Sequence, residues 1–274
     1  MKRAQIESVP TMPFVGTVLT VQNRLESSRK GEKSTQIESV PTMPFVGTVL
    51  TVQNRLEFSR KGGSFLEMNI LEIILILLSA YLIGSLPFGY IAGKLIKHID
   101  LRQEGSKNVG ATNVFRVVGV LPGMAVLLLD ISKGFLSVHL AGLFNLGGST
   151  EVSPQGFNLV MILAGLATIA GHNWTIFLKF RGGKGVATGC GVSLGLVPLP
   201  TLVSLAIFAV ATGLTRYVSL GSIFAVLAFP LNCLLFKEPL ILVFFGTIAA
   251  LVVLARHQAN IKRLIAGTEN RIKW

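Results

Sequence analysis

Residues 70–93 read ILEIILILLSAYLIGSLPFGYIAG, with Glu72 the only charged side chain in the stretch. A helix rises 1.5 Å per residue and a bilayer's hydrocarbon core is roughly 30 Å thick, so about 20 such residues cross it. Working outward, further apolar runs occupy residues 117–143, 157–174, 186–214, 218–236 and 239–255. The run 186–214 is too long for one crossing and holds Gly189, Gly191, Gly195, Pro198 and Pro200 in its first half, so it reads as two short segments meeting near the prolines. The expectation is an all-α integral membrane protein of about seven transmembrane helices, one pair short or re-entrant around Pro198 and Pro200.

Lys and Arg in short loops test that count, because they gather on the cytoplasmic side. Lys94, Lys97, Arg102, Lys107 and Arg116 lie in the first loop, Lys179, Arg181 and Lys184 after the third span, Arg216 after the split pair, and Arg256, Lys262, Arg263, Arg271 and Lys273 in the tail. Seven crossings with an outside amino terminus put all of these on one side; six would export the tail.

Composition agrees. The 274 residues are 51% hydrophobic and 14% charged, against roughly 25% charged in a soluble domain. A net charge of +12 would suggest nucleic acid in a soluble protein; in an apolar chain it points to cytoplasmic loops, anionic lipid or an anionic substrate. Cys190 and Cys233 sit in apolar runs and read as packing residues.

The amino-terminal piece differs. Residues 5–31 recur as 36–62 with one difference, Ser27 against Phe58, a 27-residue tandem repeat. Identity even at polar positions such as Gln22/Gln53 speaks for recent duplication, and two copies fall short of what a solenoid needs. Residues 1–67 hold 9 Lys/Arg and 6 Asp/Glu, a far denser charge than residues 68–274. Residues 1–67 are expected to be a duplicated leader outside the functional protein, and 68–274 its multi-pass membrane domain. Mass spectrometry of the native amino terminus checks this.

Three polar segments carry the chemistry. The first, residues 105–116, reads GSKNVGATNVFR. Gly105 and Gly110 let backbone N–H groups converge on an anion; Ser106, Asn108, Thr112 and Asn113 offer hydrogen bonds, and Arg116 a planar fork suited to phosphate. Alone, the loop reads equally as a polar interfacial turn. The second, residues 171–188, reads GHNWTIFLKFRGGKGVAT. Gly182, Gly183, Lys184 and Gly185 before an apolar helix put flexible backbone, a helix amino terminus and an ammonium at one point, a recipe for phosphate. It is no Walker A loop, since Gly185 stands where Ser or Thr would hold Mg²⁺. Trp174 reads as an interface anchor and His172 as orienting the loop. In the tail, His257 and Asn260 share a helix face at i, i+3. Glu269 reads as a structural partner of Arg271 or a loop cation. Within the second span, Asp130 and Lys133 sit i, i+3 and read as a neutralising pair, with a proton relay the alternative.

The order G-S-x-N-x-G-A-T-N-x-x-R, then G-H…G-G-K-G-V-A-T, then H-x-x-N-I-x-R-L-x-x-G-x-E resembles the bacterial acyl-phosphate:glycerol-3-phosphate acyltransferase family, the PlsY type. GSLPFGY at residues 84–90 is similar to that family's first helix. Lys107 stands where a glycine is frequent and Thr175 where a proline is common. The resemblance implies transfer of a fatty acyl group from acyl phosphate to the 1-hydroxyl of glycerol 3-phosphate, giving lysophosphatidic acid and phosphate. It implies catalytic roles for Ser106, Arg116, Lys184, His257 and Asn260, and substrate contacts from Gly105, Asn108, Gly110, Thr112, Asn113, Gly182, Gly183 and Gly185. It implies no cofactor, metal or nucleic acid, and a place in the bacterial inner membrane with the motif loops and carboxy terminus cytoplasmic. His257 is read either as the base for the attacking hydroxyl or as a phosphate ligand while a substrate phosphate oxygen takes the proton, and the second is preferred. The rival class is a multi-pass transporter of an anionic solute, motivated by the interrupted run 186–214.

Overall fold

The computed structural model describes residues 70–144 and 159–272; the duplicated leader lies outside them. The described residues form helices α1 (Ile70–Ser85), α2 (Phe88–Lys97), α3 (Ala111–Val117), α4 (Val120–Phe144), α5 (Leu159–Asn173), α6 (Val186–Leu196), α7 (Pro198–Thr215), α8 (Val218–Leu235), α9 (Leu240–Arg256) and α10 (Gln258–Ile265), with a single 3₁₀ turn at Ile176–Leu178.

The count of seven crossings is not confirmed. Among the described residues five helices are long and apolar enough to span: Ile70–Lys97 (α1 and α2, broken at Pro87), Val120–Leu143, Leu159–Leu178, Pro198–Thr215 and Val218–Leu235. Leu240–Arg256 with Gln258–Ile265, bent by 62°, counts as a sixth when the pair is taken as one span. The remaining apolar helix, α6, has 11 residues, about 16 Å of rise, and cannot cross a core of roughly 30 Å alone. It ends where expected. Val197 leaves helical geometry at φ −142°, and Pro198 opens α7 at a position where a missing N–H costs nothing.

Apolar area alone gives helices in lipid no reason to associate, so they meet where small residues allow backbones to touch. A Cβ on Gly84 of α1 would strike the carbonyl of Thr168 on α5, and one on Gly171 of α5 would strike that of Tyr81. Gly134 of α4 and Gly191 of α6 form the same reciprocal pair, against Thr188 and Ile131. Val138, Ala164, Val192, Leu196, Leu242 and Phe245 fill the space between, while Ile70, Leu75, Leu78, Leu128 and Leu251 face outward for lipid. Cys233 is fully buried in that core, and Cys190 is free and half-buried.

Candidate active site

The first motif loop is folded by its own polar groups. Asn113 is buried, its Oδ1 accepting from Ser106 N at 2.8 Å and its Nδ2 donating to the carbonyls of Leu101, Glu104 and Asn108. Asn108 Oδ1 accepts from Gly110 N at 2.8 Å. Gly105 sits at φ +58°, which glycine adopts without strain. Gly105, Asn108, Gly110 and Asn113, all expected to touch substrate, shape the loop itself: every Asn113 donor and the Gly110 N–H are already engaged. Among the described residues, the hydroxyls of Ser106 and Thr112 and the Nδ2 of Asn108 carry no hydrogen bond within the loop. Arg102 is neutralised by Asp100, its guanidinium donating at 2.6 to 3.2 Å and holding that carboxyl down at about 2. Lys97 donates to Val117 O at 2.6 Å. Arg116, exposed, reaches the tail, where Nη2 donates to Asn270 O at 3.3 Å.

The second loop is clasped on both sides. Gly182 N and Gly183 N donate to the carbonyls of Asn173 and His172 at 3.1 and 2.9 Å. Their own carbonyls accept from the Arg256 guanidinium at 3.0 to 3.1 Å. Those two amides are therefore not available to an anion, against the expectation for Gly182 and Gly183. Lys184 and Gly185 (φ +83°), at the start of α6, remain. Arg256 also stands 5.8 Å from the Trp174 ring centre, and Trp174 is 40% exposed. Thr175 Oγ1 donates to Ser85 O at 2.6 Å, tying the loop to the end of α1.

Lys184 connects loop to tail. Its Nζ donates to Asn260 Oδ1 at 2.6 Å, and Asn260 Nδ2 donates to Glu269 Oε1 at 2.8 Å. Glu269 also accepts from Ser219 Oγ at 3.1 Å and from Arg263 Nε at 2.7 Å. Arg263 is thus its partner, while Arg271 donates to the Tyr217 hydroxyl at 2.9 Å. Ile272 N donates to Arg216 O at 2.8 Å, so the first loop, the second loop, the α7–α8 turn and the tail all meet at one end of the bundle.

Arg263, Arg116 and Arg256, together with one acid, Glu269, lie within electrostatic reach of Lys184. Burial lowers the Lys184 ammonium to about 8; Glu269 opposes that, and Arg263, Arg116 and Arg256 add to it. Burial, then the Lys184 charge, drops His257 to about 4. His257 is buried between α9 and α10, with Nδ1 2.8 Å from Val253 O. A carbonyl only accepts, so Nδ1 carries the proton and Nε2 keeps its lone pair. Of the five expected catalytic residues, Arg116, Lys184, His257 and Asn260 are gathered; Ser106 is placed in its loop by its backbone N–H. Among the described residues no cluster of metal-ligating side chains occurs. Arg256, Ser219 and Glu269 belong to the same network; Arg256 was legible only as one more tail cation.

The model of the glycerol-3-phosphate acyltransferase family matches residues 74–267. The chain belongs to that family. It is 44% identical over 207 residues to a glycerol-3-phosphate acyltransferase of Shouchella clausii, covering 74% of this chain and 97% of that one. It is 40% identical over 230 residues to that of Chlorobaculum tepidum, covering 98% of the relative. Its fold is similar to crystal structures of PlsY, an integral membrane glycerol 3-phosphate acyltransferase. The glycerol 3-phosphate form is matched with a TM-score of 0.67, 36% identity, and 73% and 96% of the two chains covered. The lysophosphatidic acid form is matched with a TM-score of 0.65 and 34% identity. The enzyme reading therefore holds for this chain, and the transporter reading does not.

Proposed function

We propose that this glycerol-3-phosphate acyltransferase takes its acyl group from acyl phosphate and passes it directly to the 1-hydroxyl of glycerol 3-phosphate. The observation that carries the reading is the surplus of cation where the motifs meet: Arg116, Lys184, Arg256 and Arg263 against Glu269. An acyl phosphate is an activated anhydride, so the protein's task is to hold two phosphate-bearing anions against their repulsion and in line.

In this reading Arg116 and Lys184 take phosphate oxygens, and the first-turn amides of α6 add partial positive charge. The free hydroxyls of Ser106 and Thr112 donate to substrate oxygens. Asn260 fixes the Lys184 ammonium. His257, neutral with its Nε2 lone pair free, accepts a hydrogen bond from the 1-hydroxyl and orients it. The hydroxyl oxygen bonds to the acyl carbon, the bond from that carbon to the phosphate oxygen breaks, and the proton leaves on the departing phosphate. A group at about 4 is a poor proton store at neutral pH, which favours this substrate-assisted route over His257 as base. The acyl chain has an apolar surface groove at hand, lined by Leu86, Pro87, Tyr90, Ile91, Phe177 and Leu178. The motif end of the bundle faces the cytoplasm of a bacterial inner membrane, as its Lys and Arg content supports.

The test offers the reconstituted full chain glycerol 3-phosphate with acyl phosphate or with acyl-CoA. Lysophosphatidate and inorganic phosphate appearing together from acyl phosphate alone is the expected result. Product from acyl-CoA alone overturns the donor assignment, and solute flux without product overturns the chemistry.

A further inference from the structure

Beneath the second loop lies a buried charge cluster that the transfer chemistry does not use. Asp130 and Lys133, one turn apart on α4, are 2% and 4% exposed, and Lys133 Nζ stands 2.7 Å from Asp130 Oδ1. His172, near the end of α5, is 8% exposed and brings Nδ1 to 3.5 Å from the same oxygen. Lys133 also donates to Leu86 O at 3.0 Å, at the break before Pro87. On its far edge the imidazole packs against Gly183: a Cβ there would strike His172 Nε2 first. The carbonyl of His172 accepts the Gly183 N–H at 2.9 Å. A line of contacts thus runs from Asp130 through His172 and Gly183 to Lys184.

Stability alone does not call for ions here. Replacing a buried ion pair by apolar side chains of similar volume is often neutral or stabilising, and charge within a span is costly to place. An apolar pair, however, could not fix the rotation of an imidazole. The geometry assigns Asp130 and His172 as positioning residues for the acyl transfer. The carboxylate, held by Lys133, orients the imidazole, and the imidazole is the post on which Gly183 rests, which sets the place of the Lys184 ammonium. This rests on the phosphate-binding reading of Lys184.

The experiment measures thermal unfolding, kcat and KM for the full chain, for the double variant D130L/K133M, and for H172A, which leaves the ion pair intact. The double variant should unfold within a few degrees of the unaltered chain yet lose about tenfold or more in kcat, with KM for glycerol 3-phosphate little changed, since a small misplacement falls mainly on the transition state. H172A should lose kcat to a similar extent and regain part of it when imidazole is added. Unaltered kcat in a folded D130L/K133M, or in H172A, overturns the proposal; if the double variant does not fold, H172A decides alone. Should the unaltered chain itself make no lysophosphatidate, the acyltransferase reading has failed and not the positioning one.

Discussion

Two lysines among the described residues, Lys133 buried and Lys184 half-buried, are treated oppositely. Lys133 lies inside a span, closed off by one carboxylate at 2.7 Å, a carbonyl and an aromatic face. Lys184 lies at the end of the bundle, held by a neutral amide oxygen at 2.6 Å, and the nearest acid, Glu269, is shared with Arg263, Ser219 and Asn260. One site has its charge cancelled and the other leaves positive charge unspent. The difference separates positioning from binding: a closed pair has no charge left for a ligand, whereas an ammonium lowered by burial and by its cationic neighbours gains most from an incoming anion.

The contrast is broken most directly at the lysines themselves. K184M should leave thermal unfolding unchanged or raised and cut kcat/KM by roughly a thousandfold, the scale of losing a group aimed at transition-state charge. K133M should act first on stability, costing about 3–5 kcal/mol because the Asp130 carboxylate stays buried without its cation. A melting curve beside a phosphate-release assay reads both, and a K184M that melts early while K133M melts normally would reverse the assignment.

S106A should lower kcat by about a hundredfold, the order of one lost donor, with no effect on folding. Mass spectrometry of the unaltered chain quenched during turnover should find no acyl group on Ser106; detection of acyl-Ser106 would falsify direct transfer.

The smallest effect is in pH. With Lys184 at about 8, the ammonium is present below that pH and lost above it. So kcat/KM should fall toward about tenfold per pH unit on the alkaline side, and an inflection in kcat should sit higher, because bound anions favour the charged form. His257 at about 4 stays neutral from pH 5 to 8, so no inflection should occur near the usual histidine value of about 6.5. A clear acid limb there would count for His257 as the base.

Much of this was legible in the sequence where the signal is local. Apolar runs placed the long spans, the i, i+3 spacing paired Asp130 with Lys133, and three motifs in order carried the family. What was not legible depends on contacts between segments far apart in the chain. Arg256 grips the carbonyls of Gly182 and Gly183 across more than 70 residues, and nothing in RHQAN sets that arginine apart from its neighbours. Asn113 reads as a substrate donor until its amide is seen to close the loop that contains it. The crossing count suffered for a similar reason: the prolines mark the break after Leu196, but that the short α6 packs by Gly191 against Ile131 is a matter of contacts between distant segments. For Glu269 the reading left Arg271 and a loop cation open, and the ion pair is with Arg263, because spacing alone does not show how the chain turns back after α10.

The central claim, unspent positive charge at Lys184 that receives phosphate, is tested most directly by calorimetric titration of glycerol 3-phosphate, with glycerol as control, into the purified full chain and K184M. Binding of glycerol 3-phosphate but not glycerol, lost or weakened at least about tenfold in K184M, is the expected result. Equal binding of glycerol 3-phosphate by both proteins would contradict it.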